Sequence, residues 1–215
     1  MWQTKGVGHG VIYKKAPMRI LILTLVFLSP AWLWAQTDYE QTITEHRKSL
    51  KIKLLQGNPA PLTPPRLNGL QYFAPNPHYR ITGTFKRIEG AQPFEMPAIT
   101  GEPEEYVAYG TFSFTRDGAT HELIIYRKLA HIRSPLSRDV LFLPFRDATN
   151  GETTYGGGRY LDLRMAQIEG DQLTVDFNLA YNPYCVYNDG YSCPVPPSGN
   201  TLDFAVKAGE KMFVE

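Results

Sequence analysis

The sequence predicts a mostly β protein, an antiparallel barrel or a two-layer roll with one N-terminal helix, with an α+β arrangement as the alternative. Three observations predict it. Apolar and polar residues alternate in short runs between Tyr79 and Lys207. Glycine, proline and an Asp-Gly pair punctuate those runs about every ten residues, as antiparallel strands require. Helical periodicity is confined to residues 39–55, where Ile43, Leu50, Leu54 and Leu55 can share one stripe.

The amino end reads as a targeting segment. From Met18, MRILILTLVFLSPAWLWAQT joins a basic Arg19, an apolar run from Ile20 to Leu28 and a small-residue exit at Ala35. That layout predicts a secretory signal peptide cut between Ala35 and Gln36. A retained anchor is the other reading, but Met18 to Trp34 is short against the roughly 20 apolar residues of a span. Residues 1–17 read as an upstream extension, so the start is Met1 or Met18. The expected organisation is a leader over 1–35, a helix and Pro-rich connector over 36–66, and a β-rich domain over 67–215. The protein is expected to be exported, periplasmic or secreted, and to meet the membrane only through its leader.

Residues 1–35 hold four of the 22 basic side chains and none of the 21 acidic ones, so the remainder carries a net charge of −3. A basic stripe for nucleic acid is absent. Cys185 and Cys193 both follow the leader, and in an oxidising compartment two thiols closing a short loop are most simply a disulfide. The stretch CVYNDGYSC has no histidine beside it and no second cysteine pair, which speaks against a metal.

Each element has its own signal. In the helix, Glu40 and Glu45 precede the bases Arg47 to Lys53, the order the helix dipole favours. GNPAPLTPPRLNGL ends it. Strands are expected at YRITGTFKR (79–87), on both sides of Asp117-Gly118 within 106–128, at DVLFLPF (139–145), at QLTVDFNLAY (172–181) and at TLDFAVK (201–207). The stretch 89–105 is expected to be a solvated acidic loop.

No nucleophile elbow, metalloprotease helix, phosphate loop or dinucleotide fingerprint is present in the sequence. His46, His78, His121 and His131 are scattered without ligand spacing, so neither a metal nor a cofactor is expected. What stands out is a polar and aromatic concentration in 146–200, with six tyrosines between 155 and 191. Arg146 and Arg159 could clamp an anion, with Asp147 beside them. Gly157, in the run of three glycines, could let backbone amides approach a ligand. Tyr155, Tyr160, Tyr181 and Tyr184 could form flat walls, and Asp176, Asn178 and Asn182 could supply polar contacts. Each also has a structural reading, as a strand-end ion pair, a bulge or a solvated sheet face.

These stretches resemble the bacterial family called domain of unknown function 1684. The resemblance is carried by Phe145-Arg146-Asp147, by Thr154-Tyr-Gly-Gly-Gly-Arg-Tyr160, by Asn182-Pro-x-Cys185 with Cys193-Pro-x-Pro-Pro197, and by Ala208-Gly-Glu-Lys211. It is strongest over 142–211 and weaker over 67–128. It implies that the glycine-arginine-tyrosine loop and the Asn-Pro-Cys loop belong to one unit and meet at one end of the sheet. It implies no reaction.

Two functions are expected from these features. The first is an exported module that binds a small anionic or carbohydrate-like ligand, or an envelope partner, without catalysis. The alternative is an envelope carbohydrate hydrolase or lyase using Asp147 and Asp176 as paired carboxylates, which such chemistry holds about 5–10 Å apart. The sequence leaves the oligomeric state open.

Overall fold

A computed structural model describes residues 1–3, 6, 8, 31–99 and 101–215, with backbone alone for 31–37. The apolar run of the expected leader lies outside the described residues.

The alternation read from the sequence forms one antiparallel sheet. Its strands are β1 (Arg80–Arg87), β2 (Phe94–Met96), β3 (Glu104–Arg116), β4 (Ala119–Lys128), β5 (Val140–Phe145), β6 (Arg159–Arg164), β7 (Ile168–Glu169) and β8 (Gln172–Asp176). Their order is β6-β5-β4-β3-β1-β8-β7, and β2 pairs with β3 beside that path. The protein is mostly β with one long helix, and its sheet is open rather than closed into a barrel. Yet β6 and β7, at opposite ends of the order, are joined only by Met165–Gln167. Four Cα steps span at most about 15 Å, so the sheet curls until its edges nearly meet.

The helix α1 (Ala31–Leu54) runs along the outside of that seam. Asp38, Tyr39 and Thr42 face a groove shared with Thr174 and Asp176 of β8, while His46, Ser49 and Lys53 face Val140 of β5 and Asp162 of β6. Tyr39 donates to Asp176 Oδ2 at 2.8 Å, and Arg47 Nη2 donates to the Phe73 carbonyl at 2.9 Å. Ile43, Leu50 and Leu54 are buried, as the helical stripe requires, whereas Leu55 falls beyond the end of α1 and is exposed. No helix among the described residues is long and apolar enough to cross a membrane.

Inside the curl, Phe112, Leu123, Ile125, Leu141, Leu143, Phe145, Leu161, Val175 and Phe177 form the main core. The Asp117-Gly118 turn has φ of 52° and 81°, the left-handed pair that a two-residue hairpin needs, and β3 and β4 flank it as expected. Between β4 and β5 the ladder is thin, with Tyr126 opposite Phe142. The buried Asn200 fills the gap. Its Oδ1 accepts from the Ile124 N–H at 2.8 Å, and its Nδ2 donates to the Ile124 and Pro144 carbonyls. One side-chain amide thus replaces missing strand pairing, including beside a proline that has no N–H to give.

Beyond β6 and β7, where the sequence reading names no strand, three elements differ from the expectation. Residues 201–207 bury Leu202 and Val206 but form no strand, because their amides serve the Arg146 carbonyl and the Asp147 carboxylate. Alternation there reported burial, not pairing. The expected solvated stretch 89–105 contains β2, whose Met96 is fully buried against Tyr106 and Tyr126. The expected strand at 172–181 stops at Asp176, whose side chain caps a short 3-10 turn by accepting the Asn178 N–H.

The inward face of β6 is Arg159, Leu161 and Leu163, so alternation places a guanidinium in the core. Arg159 is 0% exposed. Its Nη2 donates to Asp147 Oδ2 and to the Val206 carbonyl, both at 2.8 Å, and its Nη1 donates to the carbonyls of Ala208 and Glu210. The other Asp147 oxygen accepts from Thr149 N–H, Thr149 Oγ1 and Val206 N–H. Burial pulls the Arg159 pKa below its ordinary value, and Asp147 opposes that shift. Removing one partner of such a pair strands a buried charge, which costs about 3–5 kcal/mol. Asp147→Ala is expected to lose about that much stability in chemical denaturation, with the paired replacement Asp147→Leu/Arg159→Met losing less.

Candidate functional site

The outward face of β5 and β6 carries Val140, Phe142, Tyr160, Asp162 and Arg164. Two covers lie over this side of the sheet. β2 and its loop pack Met96 on Tyr106 and Tyr126, while α1 packs Leu50 and Leu54 with Tyr187. Between the covers runs a cleft with chambers of about 280 and 210 Å³. The larger is bounded by β3, β4 and the 191–194 segment, the smaller by α1. Val140, Asp162, Tyr181 and Tyr184 line both.

Six aromatic rings of the larger chamber form a continuous arc. Ring centroids are 5.5 Å apart for Tyr106–Phe142, 4.9 Å for Phe142–Tyr160, 5.9 Å for Tyr160–Tyr181, 6.2 Å for Tyr181–Tyr184 and 5.5 Å for Tyr184–Tyr191. Backbone bonds set the arc. Tyr160 and Tyr181 exchange N–H···O bonds of 2.9 and 3.0 Å, and the Tyr160 hydroxyl donates to the Pro194 carbonyl. Tyr191 donates to the Pro59 carbonyl at 2.6 Å. Cys185 and Cys193 lie at disulfide distance, with Cα atoms 6.0 Å apart, and tie the ends of the wall that carries Tyr184 and Tyr191.

Asp162 sits where the chambers meet. Its side chain is exposed to water through the cleft, with protein atoms crowded beside it. That crowding raises its pKa above the usual carboxylate value, against the Tyr181 hydrogen bond and the charges of Lys53, His131 and Arg164. Its Oδ1 accepts from the Tyr181 hydroxyl at 3.0 Å. Its Oδ2 has no partner among the described residues. The other acid of the larger chamber, Glu104, is paired with Lys128. Burial pushes the His131 pKa below its ordinary value, with Lys128 adding to it.

Of the residues nominated from the sequence, the structure brings Tyr160, Tyr181 and Tyr184 into this cleft. Asp147 and Arg159 lie in the core. Arg146 is half-buried, its backbone bridging to Asn200 and Leu202, and lines neither chamber. Asp176 and Asn178 form a lock around Tyr39 and Asn76. Asn178 Nδ2 donates to the Tyr39 hydroxyl at 2.8 Å and to the Asn76 carbonyl at 2.9 Å. Gly157 and Tyr155 pack on each other, since a Cβ at Gly157 would lie 2.4 Å from the Tyr155 ring. At Gly158, φ is +98° and a Cβ would come within 2.7 Å of the Phe145 carbonyl. The glycines let the chain pass close to its neighbours. Asn182 is buried: its N–H donates to Glu210 Oε2 at 3.1 Å and its Nδ2 to the Lys211 carbonyl at 2.8 Å.

Through Tyr160, the glycine-arginine-tyrosine segment meets the Asn-Pro-Cys segment at Tyr181 and Pro194, beside the cleft. The family model described as protein of unknown function, DUF1684, matches residues 66–211. The chain belongs to this family. It is also similar to a solved structure, the solution NMR structure of an uncharacterized protein of Haloarcula marismortui. The two are 33% identical with a TM-score of 0.64, over 83% of this chain and 96% of that one. No curated protein matches.

In this DUF1684 chain the residues missed from the sequence are Asp162, Tyr106, Phe142 and Tyr191, with α1 supplying His46 and Lys53. Asp162 was within reach: once Arg159–Arg164 is read as a strand with leucines inward, Asp162 must face out beside Tyr160. The Tyr106 contribution needed the fold.

The cleft wall is fastened beneath by Glu210, which is 0% exposed. Its Oε1 accepts from the Tyr187 hydroxyl. Burial raises its pKa to about 7, against the hydrogen bonds from Tyr187 and Asn182. Asn182 Oδ1 is buried beside it without a donor, and a protonated Glu210 has one to offer. Between the ordinary value of 4.5 and about 7, the folded chain holds a proton that the unfolded chain has released. Stability therefore falls as pH rises through that window and levels off above it, by about 3 kcal/mol in total. Denaturation midpoints measured from pH 4.5 to 8 should show this decline in the native chain and a flatter profile in Glu210→Gln.

Proposed function

We propose that this chain is an exported β-rich binding module whose tyrosine-lined cleft holds a small carbohydrate-like ligand. The observation that carries the reading is Asp162, a carboxyl with one unpartnered oxygen at the floor of a concave, ring-lined space. Sugars offer hydroxyls that donate to a carboxylate and C–H faces that lie against aromatic rings. The chambers are at the small end of ligand sites, which run from roughly 300 to 1,000 Å³. The anionic version of the ligand has less to rest on, because Arg159 spends its donors in the core and Arg146 lines neither chamber. A paired-carboxylate hydrolysis also lacks support, since both Asp147 oxygens are engaged inside the core.

Export rests on the basic, apolar and small-residue order of Met18–Ala35 and on the cysteine pair. Cleavage before Gln36 would fall within α1 yet leave Tyr39, His46 and Lys53 in place, so the helical wall of the cleft survives processing.

Calorimetric titration with a panel of mono- and disaccharides should find a binder, and Asp162→Asn should weaken it about tenfold, as loss of a charge-assisted hydrogen bond does. Tyr184→Leu should weaken it too. Silence across the panel, or affinities unchanged by both variants, overturns the reading. Separately, intact-mass measurement of the protein recovered from the periplasm or medium should give a chain beginning at Gln36. A product retaining Met1 or Met18 would remove export.

A further inference from the structure

We infer that the ligand of this cleft carries an alkylammonium group, seated within the arc of rings beside Asp162. This rests on the cleft being a ligand site and narrows the class that enters it, to an amino sugar or another hydroxylated amine. Two independent features point there. The first is the rings: six consecutive neighbours, 4.9 to 6.2 Å apart, surround a chamber of about 280 Å³. A cation attracted to aromatic faces needs to come within about 6 Å of ring centroids. A chamber this small keeps any occupant near several of them.

The second is charge. Glu104 and Lys128 neutralise each other across the strand pair, and burial disfavours the protonated form of His131. Asp162 is the acid left over, and its Oδ2 points to no partner among the described residues. Lys53 lies on the α1 side, lining the smaller chamber and not the larger. The larger chamber thus joins abundant π surface to one carboxyl whose Oδ2 has no hydrogen-bond or ion-pair partner among the described residues, Lys53 and Arg164 acting on it only from the smaller chamber. Neutral sugars use the rings and the acceptor. A protonated amine uses both and also supplies the direct ion-pair contact that Asp162 lacks among the described residues.

The test compares shape-matched pairs. Choline is titrated against its neutral carbon isostere 3,3-dimethylbutan-1-ol, and glucosamine against glucose, at constant pH and with ring-proton NMR shifts to place the contact. Each cationic probe is expected to bind about tenfold more tightly than its neutral partner. Asp162→Asn should remove most of that preference while its thermal midpoint stays near that of the native chain. Tyr184→Leu should weaken the cationic probes and leave the fold intact. Equal binding within each pair overturns the ammonium assignment but leaves the carbohydrate reading standing. Binding of no probe, with the ring resonances unmoved, overturns both. An Asp162→Asn chain that keeps the full preference overturns the assignment even where the cations bind.

Discussion

Arg159 is the constraint on which the rest of this structure depends. A guanidinium with no exposed surface is tolerated only if its donors find acceptors, and four are spread over Asp147 and the carbonyls of Val206, Ala208 and Glu210. Those acceptors belong to two segments that form no strand: the turn after β5 and the irregular C-terminal run. Neither has a ladder to hold it. Arg159 draws both onto the end of β6, and Asp147 completes the tie by accepting the Val206 N–H. Sheet pairing builds β1 to β8; one buried ion pair organises the chain that pairing does not reach.

That arrangement also fixes the cleft. Side chains alternate along a strand, so anchoring Arg159 inward commits Tyr160, Asp162 and Arg164 to the outer face. A register slip of one residue would exchange the two sets, placing Asp162 in the core and Arg159 in water. The leucines at 161 and 163 enforce the same register through burial. The outward face is then left partly bare, because β2 covers only its β3–β4 side and α1 covers only the seam. The cleft is the interval between two covers. Its depth follows from the curl of the sheet, which brings α1 against β6 as well as β8.

Much of this was legible in the sequence, though unevenly. The Asp-Gly hairpin was plain because a type I′ turn has a strict residue requirement that Asp117 and Gly118 meet. α1 was legible from its stripe, but its described residues from Ala31 include some that the sequence assigns to the leader. The tyrosine concentration pointed to the region where the cleft lies, and Tyr160, Tyr181 and Tyr184 line it. In the sequence Arg159 reads as half of an anion clamp, because a polar residue before a run of alternating leucines suits a strand end in water as well as a buried anchor. Beside Asp147, its three other acceptors are 47 to 51 residues away in sequence and are backbone carbonyls, which carry no residue signature. The 201–207 stretch misled for a related reason: period-two burial arose from side chains filling a core while the backbone amides went to Arg146 and Asp147. Asp162 was hidden by the glycines before it, which drew attention to a loop where β6 begins.

The division between anchor and cleft has a physical consequence for how function can change in this fold. The groups that hold the chain together, Arg159, Asp147, Asn200 and Glu210, have no exposed surface or nearly none, and they act on backbone atoms. The groups that face the cleft, Asp162, Tyr184, His131 and Lys53, retain solvent contact and make few bonds to the chain. Substituting the first set strands buried charges or amides, at several kcal/mol each; substituting the second changes the chemistry of a surface at little cost to folding. Tyr160 belongs to both sets, since its ring lines the cleft while its hydroxyl and backbone fasten Pro194 and Tyr181. It is therefore the position at which a change in the proposed ligand contact cannot be separated from a change in the wall itself. In the proposed binding role, specificity is free to vary at Asp162 and at the rim, and is held fixed at Tyr160.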